Sequence, residues 1–167
     1  MIPTIRLYMT NPEQLMSEAL VHEILDENHR KVLVLDKTPF YPQGGGQLYD
    51  KGVIESSNAF FEVEEVRAID DCVKHYGQFI RGHFTPNQSV YCKVDAKRRH
   101  QHNCLHSAGH VVDMAVFKLG LNWTPEKGHH FPESYCQIWC TALGGLLVRL
   151  FNNLHSIFKF NVVNNKR

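Results

Sequence analysis

The feature that most constrains this chain is a change of hydrophobic period at Asp95. Beyond it Cys104, Leu105, Ala108, Val111, Val112, Ala115, Val116 and Leu119 recur at steps of one, three and four, the spacing of an apolar stripe along an α-helix. Asp95 is placed to cap the start of that helix and Gly120 to stop it. Before Asp95 the apolar residues come in short β-branched or aromatic runs. Ala19 to Leu25 and Val32 to Leu35 flank the polar Asp26-Glu27-Asn28-His29, which predicts a hairpin. Val53-Ile54, Phe61 to Val66, Cys72 to Tyr76 and Val90 to Val94 follow, separated by Asp, Gly, Asn and Pro. Residues 19–94 therefore predict a small β-rich unit.

Three stretches are less regular. Asn11-Pro12-Glu13 combines a capping residue, a proline suited to the first helical position and an acid in the first turn, which predicts a short helix around residues 12–18. Leu121 to Glu133, with Pro125, Gly128 and Pro132, reads as a loop, and the apolar tail after it has no clean period. Thr38-Pro39-Phe40-Tyr41-Pro42-Gln43-Gly44-Gly45-Gly46-Gln47 packs two prolines and three glycines into ten residues, which rules out a regular element there.

Composition narrows the partners. A net charge of +1 leaves no broad basic surface, so any nucleic-acid contact has to come from a local patch. Lys93, Lys97, Arg98 and Arg99 cluster at the start of the expected helix and form such a patch, or simply a solvated helix end. The longest apolar stretch, Ile138 to Leu150, is interrupted by Gly144-Gly145 and Arg149 and is shorter than the roughly 20 residues that span a bilayer, so no membrane helix is expected. Five cysteines without framework spacing, and a start that resembles no signal peptide, predict a reducing, cytoplasmic setting.

Two places carry chemistry. In His106-Ser107-Ala108-Gly109-His110 two imidazoles four residues apart share one helix face and are spaced for one metal ion, with His102 a turn before and Asp113 a turn after. The alternative is a polar face turned to solvent. A zinc site needs further ligands, and Cys136 and Cys140 repeat the four-residue spacing, although their apolar surroundings suit buried structural cysteines equally well. Gly44-Gly45-Gly46-Gln47 allows a ligand's phosphate, ribose or ester to approach the backbone, with the Gln47 amide able to donate and accept; the alternative is a tight turn.

Taken together, Thr38 to Gln47 with Asp50-Lys51-Gly52, then Val94-Asp95-Ala96-Lys97-Arg98-Arg99 leading to His106 and His110, then Lys127-Gly128-His129-His130-Phe131-Pro132, resemble the alanyl-tRNA editing proteins. These are free-standing relatives of the editing domain of alanyl-tRNA synthetase, and the resemblance covers roughly residues 5 to 133. It implies an α+β fold: a barrel-like β-rich unit over residues 1–94 and an α/β zinc-binding editing module over residues 95–167. It implies zinc as cofactor, held first by His106 and His110, and mischarged alanine tRNA as partner. The implied activity is hydrolysis of the ester joining serine or glycine to that tRNA, in translation quality control. Thr38 and Gln47 would then lie at the reacting ester, and Gly44, Gly45, Gly46, Arg98 and Arg99 would bind substrate. The family takes its other two ligands from a downstream Cys-x3-His motif, which this sequence lacks, and from about Ser134 the tail departs from the family pattern. The alternative is a non-catalytic RNA-binding remnant of an editing protein.

Overall fold

The computed structural model describes residues 3–120 with their side chains, and the backbone of strands 124–131, 135–142, 146–153 and 156–163. In chain order the first elements are β1 (Ile5–Arg6), a helical turn α1 (Leu7–Thr10), β2 (Met16–Glu27), β3 (Arg30–Leu35) and β4 (Lys37–Thr38). They are followed by β5 (Gly52–Glu55), β6 (Phe60–Ile69), β7 (Cys72–Arg81), β8 (Ser89–Val94) and the long helix α2 (Ala96–Lys118). The strands β9 (Thr124–Phe131), β10 (Tyr135–Ala142), β11 (Leu146–Asn153) and β12 (Ser156–Val163) complete the described chain.

The chain divides into two compact units, one comprising residues 1–43 and 49–99, the other residues 44–48 and 100–167. In the first, β2-β3-β7-β6-β5-β8 close into an antiparallel barrel, which leaves no unpaired sheet edge. Alternation decides what fills it. Along β2, Ser17, Ala19 and Val21 are buried while Glu18 and Leu20 are exposed, and along β8, Val90, Cys92 and Val94 turn inward. With Leu33, Leu35, Phe40, Ile54, Phe61, Val63, Val66 and Val73 they form one core, in which each fully buried large apolar side chain contributes about 1.5–3 kcal/mol.

The expected hairpin is present as β2–β3. Glu27 pairs with Arg30, and Asn28 and His29 between them both take positive φ (50° and 62°), the two-residue turn whose twist matches the strands. The expected helix is α2, and Asp95 caps it: its Oδ1 accepts the Arg98 N–H at 3.0 Å. At the other end Gly120 adopts a left-handed φ of 65°.

Two expectations fail. No helix covers residues 12–18: the Gln14 N–H bonds to the Asn11 carbonyl in a turn, and from Met16 the chain is strand β2, pairing with Lys93 onward in β8. Nor is all of Leu121 to Glu133 loop, because Thr124–Phe131 is β9, hydrogen-bonded along β10. In each case pairing with another strand, the distant β8 for β2 and the adjacent β10 for β9, outweighs the local signal. The second unit thus contains, besides most of α2, a four-stranded antiparallel sheet ordered β12-β11-β10-β9.

Candidate functional site

The glycine run, Gln47 and the histidine pair all belong to the second unit. Gly44 and Gln47 exchange two backbone hydrogen bonds, at 3.1 and 2.9 Å, so the glycine run is a tight turn. Gly45 and Gly46 at its tip have φ of 56° and 80°, a left-handed pair that only glycine adopts without strain. A Cβ on Gly44 would meet nothing within 4 Å, so the space beside it is open. The turn interpretation of the glycine run is therefore the one that the hydrogen bonds show.

Gln47 is buried, and its Nε2 donates to Asn103 Oδ1 at 3.3 Å. Asn103 stands on α2 one turn before His106, a partner that the sequence did not signal. A turn further on, His106 and His110 bring their Nε2 atoms to 3.0 Å, with the ring centroids 4.8 Å apart. Burial, then the neighbouring His110, pushes the His106 pKa down, which favours the neutral ring that a metal requires. Asp113 Oδ2 lies 3.8 Å from His110 Nδ1, and burial raises the Asp113 pKa against the pull of His110.

This pair fits half of a zinc site. At zinc–nitrogen distances of about 2.0–2.1 Å, two nitrogens 3.0 Å apart subtend roughly 95° at the ion, somewhat tighter than a tetrahedron, so a small ring rotation would seat it. Among the described residues no group of three His, Cys, Asp or Glu converges on one point. Cys136 and Cys140 lie on the backbone of β10, and their side chains are outside the described residues.

The remaining candidates lie in the barrel unit. Thr38 is fully buried, and its Oγ1 is 2.8 Å from His75 Nε2. His75 Nδ1 is 3.0 Å from the Leu33 carbonyl, which only accepts, so the network assigns the ring proton to Nδ1 and leaves Nε2 to accept from the threonine. The Phe40 N–H donates to the same hydroxyl at 3.2 Å. Burial drives the His75 pKa down to about 4, with the Leu33 hydrogen bond opposing, so the ring is neutral at ordinary pH. His75 was invisible in the sequence as a lone histidine within an apolar strand.

Arg99 is not the surface cation that the basic cluster implied. It is 3% exposed and bonds both oxygens of the fully buried Asp50. It also donates to the Pro12 carbonyl at 2.9 Å and the Pro39 carbonyl at 2.6 Å. Asp50 in turn accepts the Tyr41 N–H at 2.7 Å, while the Asp50 N–H bonds the Tyr41 carbonyl. Arg99 and Asp50 thus clamp together the two stems of the proline- and glycine-rich loop. Arg98 is half-buried and donates from Nε to the Tyr49 carbonyl at 3.1 Å.

The model of the family described as tRNA synthetases class II (A) matches residues 10–98, more than half of the chain. The chain belongs to that family. The matched span is the barrel with the loop stems, and it ends eight residues before His106. Among similar proteins, the alanine–tRNA ligase of Legionella pneumophila (strain Paris) is 32% identical over 114 residues, 68% of this chain and 13% of that ligase. The alanine–tRNA ligase of Leptospira borgpetersenii serovar Hardjo-bovis (strain JB197) is 34% identical over 111 residues, 66% of this chain and 12% of the ligase. That of Francisella tularensis subsp. tularensis (strain SCHU S4 / Schu 4) is 39% identical over 96 residues, 58% and 11%. The chain therefore spans no more than 13% of the length of these class II relatives. No described helix is long and apolar enough to cross a membrane.

Proposed function

We propose that this chain is an editing module that hydrolyses the ester between serine or glycine and alanine tRNA. The observation that carries the proposal is the paired Nε2 atoms of His106 and His110, in the same unit as an open glycine turn and an oriented glutamine. Likeness to alanine–tRNA ligases supplies the substrate class. It does not distinguish a free-standing editing protein from a segment of a ligase.

In this mechanism His106 and His110 hold zinc, which when bound supplies a Lewis acid for orienting the ester or polarising a water. Gly45 and Gly46, which carry no side chain of their own, would let the terminal ribose approach the backbone. Gln47, held by Asn103, positions the ester. Thr38 supplies discrimination: its proton is directed to His75, so towards a ligand its oxygen acts as an acceptor, which suits the hydroxyl of serine and has nothing to take from alanine.

The test is deacylation of Ser-tRNA(Ala) by the purified chain and by His106→Ala, with metal content measured on both. Zinc and hydrolysis present in the first and lost together in the second is the expected result; undiminished hydrolysis in His106→Ala overturns the metal-centred mechanism. The family match over residues 10–98, which takes in the barrel and stops before His106, favours a second reading, a non-catalytic RNA-binding remnant. Binding of tRNA without zinc or turnover would select it.

A further inference from the structure

The basic cluster seen in the sequence is re-sorted by the fold. Arg99 is enclosed with Asp50, which removes it from any contact surface, and Lys93 has its single cationic nitrogen on Glu55 at 2.5 Å. Lys97 and Arg98 remain, and the barrel unit adds residues from elsewhere. Tyr49, at the end of the loop, packs partly against the core, and its ring has two guanidiniums near it: Arg98 from the first turn of α2 at 5.6 Å and Arg67 from β6 at 5.8 Å. The Lys51 carbonyl accepts the Asp95 N–H at 2.8 Å, so exposed Lys51 lies at the same helix start as exposed Lys97.

We propose that Arg67, Tyr49 and Arg98, flanked by Lys51 and Lys97, form a contact surface for the phosphate backbone of RNA, a proposal that rests on the reading of the chain as a tRNA-acting protein. Each guanidinium has five N–H donors, and the bonds to Tyr49 O and to Glu65 Oε1 are made through Nε, which orients the forked end of each group. A fork held in place matches a phosphate in two-point fashion, and the ring restrains it at little cost in mobility. The acids nearby are already engaged: Asp95 Oδ1 caps the helix and Glu65 also takes Arg30 at 2.6 Å. With the whole chain at only +1, two guanidiniums at one aromatic ring and two lysines at the adjoining helix start make a local field that composition does not show.

The test is fluorescence anisotropy of labelled, deacylated alanine tRNA across a potassium chloride series, using the full chain. The double variant Arg67→Ala, Arg98→Ala is expected to bind several-fold more weakly, with the slope of log K against log salt shallower by about two. Arg67→Ala alone, which removes only a partly exposed side chain from strand β6, is expected to flatten it by about one and keeps the test valid if the double variant folds poorly. Arg81→Ala, at the opposite end of the β6–β7 pair, is the control and is expected to change nothing. Parental affinity and slope in Arg67→Ala and the double variant would overturn the surface while leaving the editing proposal standing, as would an equal loss in Arg81→Ala. A parent that binds no tRNA would overturn both.

Discussion

His75 and the pair His106/His110 show how one residue type takes opposite roles in the two units. His75 sits inside the barrel with one nitrogen on a backbone carbonyl and the other on Thr38, and both partners belong to the fold. His106 and His110 lie on a helix face and share a hydrogen bond between their Nε2 atoms. What separates them is which atoms hold the nitrogens: His75 is held by a backbone carbonyl and a threonine hydroxyl, whereas the helix histidines hold each other. The same contrast divides Arg99, locked onto Asp50, from its neighbour Arg98.

The largest effect that tests this contrast is expected at Arg99. Arg99→Leu leaves Asp50 buried without its cation and releases two carbonyls, so a loss of about 3–5 kcal/mol is expected in urea denaturation. An equally large loss from Arg98→Leu would erase the distinction between the two arginines.

Next comes acid. Above the unfolded histidine value of 6.5, His75 is neutral in both states and its contribution is complete. As pH falls from 6.5 towards 4, the unfolded chain takes a proton that the folded one refuses, and stability drops by about 3 kcal/mol in all. Denaturation midpoints between pH 7 and 4 should show this fall, and His75→Gln should flatten it.

A smaller effect on stability is expected at the helix pair. In metal-free protein, His106→Ala and His110→Ala should each change unfolding free energy by no more than about 0.5 kcal/mol, because they remove partly exposed rings. Elemental analysis should nevertheless show zinc lost in both. A stability loss comparable to that of the barrel variants would make this pair structural too. The smallest expected signal is at Cys92, whose thiol burial pushes up to about 12; mass spectrometry after brief iodoacetamide treatment of the native protein at pH 8 should leave it unmodified.

Periodicity made the β-rich unit, the hairpin around Asn28-His29 and the capped helix α2 legible before any coordinates, since each depends on residues a few positions apart. It failed at residues 12–18 and 124–131. The Asn-Pro-Glu signal is local and real, yet Met16 to Leu20 is fixed by hydrogen bonds to β8, 69 to 77 residues away. His106, His110 and the glycine run stood out because their spacing is readable along the chain. Asn103 and His75 did not, and Asp50 stood out only as part of a turn and not as the partner of Arg99, because a partner chosen through space leaves no mark in the order of residues.

The sequence by itself thus determined the local elements and which residues are chemically capable, because backbone preference and helix or strand period act over short range. Only the tertiary structure decided which of those capable residues are committed inward. Closing the barrel brought His75 to Thr38, and Arg99 reached Asp50 across 49 residues. Burial of Arg99, not its residue type, turned a candidate substrate contact into a brace.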